Sequence, residues 1–136
     1  MEPHFQLSDT EFNRQFTDCS LNPELFSHEA HIRLAWINIK KLGLEKAIDN
    51  TQTQLENFVA HIGAKDKYHK TLTIVAIKIV NHFIQKSKSD DFSNFINEFS
   101  QLKYEFKELV NAHYSFNIFN SDEARTEFLK PDLLEF

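Results

Sequence analysis

Residues 27–63 read SHEAHIRLAWINIKKLGLEKAIDNTQTQLENFVAHIG and carry the clearest helical pattern in the chain. Ser27 suits the N-cap of a helix, where the first backbone N–H groups need an outside acceptor. Gly43 suits a helix end, because glycine adopts a positive φ without steric cost. Apolar residues recur at three- and four-residue spacing on both sides of this glycine. The pattern predicts a helix over 28–42 and a second over 44–62, which the next glycine ends.

Similar signals predict further helices on both sides of this pair, and no alternating strand pattern competes with them. The predicted ranges are about 8–18 and 68–86, then a helix from Phe92 to Leu109 with a break near Ser100–Leu102, and a short helix from Ser121 that ends before Pro131. We therefore predict an all-α fold, a single compact bundle of about six helices that forms one domain over residues 1–136.

Composition excludes several classes of function. The net charge of −5 and the pI near 5.8 argue against nucleic-acid binding, which needs a basic surface. Only two glycines are present, so no glycine-rich phosphate loop is expected. Cys19 is the only cysteine, which excludes an intrachain disulfide. The chain has no signal-peptide pattern and no apolar run of membrane-spanning length, so we expect a cytoplasmic protein without a membrane partner.

The helix predicted at 28–42 contains two histidines three residues apart. At about 100° per residue, His28, His31 and Asn38 fall on one side of the helical wheel. Glu29 and Arg33 fall on the opposite side, which the wheel therefore predicts to face solvent. Both histidines are expected to point inward.

His69 is expected to point inward as well, because it lies within about 20° of the apolar Ala76 and Val80 on the wheel of its own helix. All three histidines would stand near helix N-termini, where the helix dipole and burial both favour the neutral imidazole. His4, by contrast, is predicted to belong to a loose terminus.

Three interpretations of these histidines stay open. The first is a metal site in which His28, His31 and His69 bind a divalent transition metal such as zinc and leave one coordination position open. The second is a metal-free pocket for an anion or another small molecule. The third is a set of structural histidines that are hydrogen-bonded within the core.

Several other polar residues are candidates for contact with a ligand. They are Tyr68, Thr71, Asn38 and Arg125, although Arg125 could equally pair with Asp132. A metal-binding role would leave open whether the protein is an enzyme, such as a small hydrolase or an oxygen-handling protein.

A non-catalytic interaction module is the competing class of function. Its signature would be an exposed apolar strip on the Phe92–Phe106 helices, through which the chain could form a homodimer. Packing of those phenylalanines in the core is the ordinary alternative.

The order of four motifs, FSHEAHIRLAW, KYHKTLT, HYSFNIFNSDEAR and KPDL, resembles an uncharacterised family of small bacterial helical proteins. The resemblance covers about residues 8–134. The matching positions are His28, His31, Tyr68, His69, Thr71, Ser115, Ser121, Arg125 and Asp132. Lys70 departs from the family pattern, which has glutamate there. The resemblance implies a helical fold and a shared polar site, and it implies no particular reaction.

Overall fold

Eight α-helices and no β-strand make up the chain, which confirms the predicted all-α class. The structure, a computed structural model, describes residues 1–136 and divides them into two compact units, Met1–Tyr68 and His69–Phe136. The prediction of a single domain and a single bundle stays a prediction. None of the helices combines the length and apolar character that crossing a membrane requires.

The N-terminal unit contains three α-helices. They are α1 (Asp9–Thr17), α2 (His28–Leu42) and α3 (Leu44–His61), with short 3-10 turns at Pro3–Gln6, Pro23–Leu25 and Lys65–Lys67. The range predicted for α2 is confirmed, that for α1 is one residue too long at each end, and that for α3 is one residue too long at its C-terminal end. Ser8 and Ser27 cap α1 and α2 by accepting a backbone N–H three residues on, each at 3.1 Å.

Gly43 is the only residue between α2 and α3. Its φ of 82° confirms the predicted need for glycine, but its ψ of 167° lies outside the left-handed helical region. Only glycine adopts this combination readily, because a Cβ crowds the backbone there. The tight connection makes α2 and α3 direct neighbours, and the two helices form the most extensive helix pair of the unit.

Aromatic rings fill the core of the N-terminal unit. The ring of Phe16 lies 4.6 Å from that of Phe58 and 4.8 Å from that of Phe26, measured between centroids. Phe12 is also fully buried. Trp36 is 5% exposed and is also part of the buried interior. These contacts join α1 and α3 to the segment that precedes α2.

Asn38 lies at the centre of a buried hydrogen-bond network in the same unit. Its side-chain amide donates to Thr51 Oγ1 and to Gln54 Oε1, both at 2.8 Å. The amide of Gln54 in turn donates to Asn13 Oδ1 at 2.7 Å and to Thr17 Oγ1 at 2.8 Å. The network therefore connects all three helices and satisfies the polar groups that the interior contains.

The C-terminal unit is built around its longest helix. Its helices are α4 (Lys70–Lys86), α5 (Phe92–Glu98), α6 (Gln101–Tyr104), α7 (Phe106–Asn111) and α8 (Asp122–Thr126), with a 3-10 turn at Ile118–Asn120. The interruption between α5 and α6 confirms the break predicted near Ser100–Leu102. Phe92 and Phe95 are 2% and 0% exposed. They belong to the core, so the exposed strip proposed for an interaction module does not include them.

The segment after α8 is fastened to the rest of its unit by hydrogen bonds. Tyr114 donates its phenolic O–H to the carbonyl of Leu129 at 2.7 Å. Asp132 accepts hydrogen bonds from the backbone N–H and the hydroxyl of Ser115. The N–H of Leu133 donates to the carbonyl of His113 at 3.0 Å. Side-chain hydrogen bonds and one backbone hydrogen bond therefore anchor this segment, which contains no regular element.

Candidate metal centre

His28 and His31 differ in their surroundings. The side chain of His28 is exposed, so the prediction that it points inward is wrong. His31 is half-buried, and its ring lies 5.3 Å from the ring of Phe26. Burial, together with the charge of the nearby His28, lowers the pKa of His31 to about 4. His31 is therefore a neutral imidazole near pH 7.

His69 is buried and caps α4. Its Nδ1 accepts the backbone N–H of Leu72 at 3.0 Å, so its Nε2 carries the proton and donates to the carbonyl of Ile118 at 2.8 Å. Both ring nitrogens are thus used within the C-terminal unit. His28 and His31 belong to the other unit. The three-histidine metal set stays a prediction, and the hydrogen bonds of His69 support a structural role for that ring.

Three of the remaining predicted site residues, Asn38, Tyr68 and Thr71, have hydrogen-bond partners within their own units. The amide of Asn38 belongs to the buried network, and the hydroxyl of Tyr68 lies 3.4 Å from Gln52 Oε1. Thr71 donates to the carbonyl of Glu127 at 2.6 Å and accepts the N–H of Leu129 at 3.1 Å. Arg125 is half-buried near the end of α8. Their role as ligand contacts stays a prediction.

A second cluster, formed by Glu2, His4 and Glu29, was not predicted. His4 is fully buried, so its assignment to a loose terminus is wrong. Glu29 is 5% exposed, so the prediction that it faces solvent is wrong as well. His4 Nε2 lies 2.7 Å from Glu29 Oε1 and 3.9 Å from Glu2 Oε1. One ligand atom from each of the three residues falls within 4.8 Å of the other two.

Arg33 lies next to this cluster. It is 4% exposed, so the prediction that it faces solvent is wrong. Its guanidinium donates to the carbonyls of His4 and Leu7, each at 2.8 Å. Its Nε and Nη2 atoms also form an ion pair with Asp9, because both donate to Asp9 Oδ1, at 3.1 and 2.8 Å. The centre of the guanidinium stands 4.9 Å from the ring centroid of Phe12. Arg33 therefore holds the N-terminal segment against α2.

The hydrogen bonds of His4 define its protonation. Arg33 Nη1 lies 3.2 Å from His4 Nδ1, and a guanidinium can only donate. Nδ1 is therefore the acceptor, and Nε2 carries the proton that it donates to Glu29. Burial lowers the pKa of His4 below its usual value, and the positive charge of Arg33 acts in the same direction. Glu29 and Glu2 act against this shift without reversing it.

Long-range contacts explain why the helical wheel missed this cluster. His4 and its partner Glu29 are 25 positions apart in the sequence, and Arg33 and its partner His4 are 29 positions apart. A wheel describes one helix alone, and it assigned the charged face of α2 to solvent because charged side chains are usually exposed. The residues before α1 cover that face instead. The available signal was the presence of ionisable residues both before α1 and at the start of α2. Pattern analysis does not show that these two segments contact each other.

Comparison with protein-family models, with curated proteins and with solved structures finds no match for this chain. The functional argument therefore rests on the geometry of the site.

Proposed function

We propose that this chain binds a divalent transition metal through Glu2, His4 and Glu29. The observation that carries the proposal is the convergence of an imidazole nitrogen and two carboxylates within 4.8 Å, with His4 and Glu29 buried. The proposal retains metal binding, one of the three interpretations that the sequence left open, but it assigns that role to different residues.

The separations of the ligand atoms are suitable for such an ion. Donor atoms around a tetrahedral zinc lie about 3.3 Å apart when the bonds are about 2.0–2.1 Å long. The separations of 2.7 and 3.9 Å from His4 Nε2 lie on either side of that value. Side-chain adjustments that bring the three donor atoms to that spacing would create three zinc bonds and leave a fourth position for water or another ligand.

Charge supports the same proposal. The cluster contains two carboxylates and a neutral imidazole, and the neighbouring cation Arg33 forms an ion pair with Asp9. A divalent cation would balance the two negative charges of Glu2 and Glu29, which lie close together in a largely buried site. We assign no reaction to the centre.

Calorimetric titration of tag-free protein with zinc chloride tests the proposal. We expect one ion per chain, with affinity reduced at least about tenfold in His4→Asn and in Glu29→Gln, because each variant loses one ligand. His82→Asn and Glu56→Gln change exposed residues of the same types and should bind zinc as the native chain does. Unchanged zinc affinity in both ligand variants contradicts the proposal.

Two more variants separate this centre from the three-histidine set. His28→Ala and His69→Ala should retain zinc if the ion is held by Glu2, His4 and Glu29. Loss of zinc in these two variants, with retention in His4→Asn, would instead support the set predicted from the sequence.

A metal-free role with structural histidines is the second candidate, and a specific observation favours it. Both ring nitrogens of His4 and of His69 are hydrogen-bonded to protein groups. On this alternative the chain is a binding or interaction module, and a chelator leaves its melting temperature unchanged. The family resemblance, the cytoplasmic location and the homodimer stay predictions, and light scattering tests the last.

A further inference from the structure

We propose that Arg33 limits metal binding at this centre by holding His4 in the tautomer that does not bind metal. The inference rests on the proposed function and concerns the control of the same site. It assigns Arg33 a second role beyond anchoring the N-terminal segment, namely that of a positioning residue which acts on the ion through the imidazole of His4.

The first step is the tautomer of the metal-free protein. Nη1 of Arg33 donates one hydrogen to the carbonyl of His4 at 2.8 Å and directs the other to Nδ1 of the same residue at 3.2 Å. The proton of the neutral ring therefore resides on Nε2, where Glu29 Oε1 accepts it at 2.7 Å. Nε2 is also the atom that faces Glu2 and Glu29.

The second step concerns the tautomer of His4 that a bound ion requires. A metal binds a ring nitrogen through its lone pair, so binding at Nε2 needs the proton on Nδ1. The ring loses one proton from Nε2 to solvent and gains one at Nδ1, with no net change in its charge. The new Nδ1–H then points at an Arg33 N–H, and two donors without an acceptor between them repel each other.

The third step is that Arg33 cannot withdraw easily. Asp9 and the carbonyls of His4 and Leu7 accept the other hydrogen bonds of its guanidinium, which is buried. Binding of the ion therefore has to break or bend the contact between Arg33 and Nδ1. The other hydrogen bonds of the guanidinium oppose this movement of Arg33. The affinity measured for the metal is reduced accordingly, because it includes this rearrangement.

Nitrogen NMR of ¹⁵N-histidine-labelled native protein tests the tautomer directly. We expect the His4 ring, identified by the signals that His4→Asn removes, to show Nε2–H without metal and Nδ1–H with zinc. This measurement needs no substitution of Arg33. A metal-free protein that already shows Nδ1–H overturns the inference.

A matched pair of neutral variants tests the effect on affinity. Arg33→Met and Arg33→Gln both remove the positive charge, but only glutamine offers a carbonyl that can accept from Nδ1–H. We expect zinc to bind at least about tenfold more tightly to Arg33→Gln than to Arg33→Met, since a buried donor gains a partner. Arg33→Lys retains a cation that can only donate and should bind no more tightly than the native chain.

The outcomes distinguish the two proposals. Native protein that binds no zinc in calorimetry overturns the metal centre and the role of Arg33 together. Zinc binding with equal affinities in Arg33→Met and Arg33→Gln, both shown to be folded by circular dichroism, overturns the role of Arg33 alone. If either variant fails to fold, the ring spectra of the native protein decide.

Discussion

Tyr114 is a side chain whose ionisation the fold opposes. It is 4% exposed, and its phenolic O–H donates to the carbonyl of Leu129. Burial, with a smaller contribution from the charge of Asp132, raises the pKa of Tyr114 to about 12. The neutral phenol is therefore part of what holds the segment after α8 in place.

This shift predicts a loss of stability at high pH. Because the folded pKa lies above the unfolded value near 10, the contribution of Tyr114 is complete below pH 10 and is lost as the pH rises towards 12. The phenolate absorbance of the native chain should therefore include a late step near pH 12 that belongs to Tyr114. Tyr114→Phe should remove that late step, and its persistence in the variant would assign the shift to another tyrosine.

The burial of individual residues was the property hardest to predict from the sequence. Asn38 was correctly predicted to lie inside, because its position on the helical wheel and its polar neighbours on α3 agree with an internal network. Glu29 and Arg33 were assigned to solvent because they share a charged face on the helical wheel of α2. Their burial depends on residues before α1, and no local pattern reports a contact between positions so far apart in the chain.

The start of α4 shows how a single side chain defines an element. The sequence places the start near residue 68, whereas the helix begins at Lys70 with His69 as its N-cap. The Nδ1 atom of His69 accepts the N–H of Leu72, a task more often performed by serine or aspartate. Its Nε2 also satisfies the carbonyl of Ile118, so one ring stabilises two elements of the C-terminal unit.

Substitution of this capping histidine should therefore destabilise the protein. We expect His69→Ala to lower the free energy of unfolding by about 2–4 kcal/mol, since the helix loses its cap and a buried carbonyl loses its donor. His69→Asn should recover part of the loss, because asparagine caps helices but is too short to replace the ring at both contacts. Urea unfolding at pH 7.5 measures both variants, and equal losses would show that the cap contributes little.

The connection between α2 and α3 gives a second test at the level of elements. The φ of 82° and ψ of 167° at Gly43 are nearly exclusive to glycine, so Gly43→Ala should destabilise the protein by about 1–3 kcal/mol. Apart from the adjoining residues of the chain, no atom stands within 4 Å of an added Cβ, so the effect should come from the local backbone conformation and not from a collision with the rest of the fold. Gly43→Asn should therefore be equally unfavourable, although asparagine often replaces glycine at left-handed positions. A much smaller loss in Gly43→Asn would contradict this explanation.

Most helix positions were predictable from the sequence, because caps, glycines and apolar spacing are local signals, but the second interruption, at Glu105 between α6 and α7, was not predicted. The ranges of α2 and α3 followed from residues 27–63 alone, and the interruption after α5 followed from Ser100 and its neighbours. The candidate metal centre was not predictable in this way. Its ligands Glu2 and His4 precede α1, and only tertiary contacts bring them to the third ligand, Glu29, on α2.

Metal binding should affect the stability of the folded chain. An ion that binds the folded state alone stabilises it by about 2.7 kcal/mol at a free concentration 100 times the dissociation constant. We therefore expect zinc to raise the melting temperature followed by circular dichroism, and a chelator to reverse the rise. At the same zinc concentration the increase should be clearly smaller in Glu29→Gln and unchanged in Glu56→Gln. A rise of equal size in both variants would indicate binding elsewhere on the protein.

Trp36 gives the chain a useful optical property. It is the only tryptophan, and it lies on α2, within the N-terminal unit. Emission excited at the red edge of the indole band therefore reports on Met1–Tyr68 alone, whereas a helical signal averages over both units. Fluorescence and dichroism recorded on one sample would show directly whether the two halves of the chain lose their structure in the same transition or in separate ones.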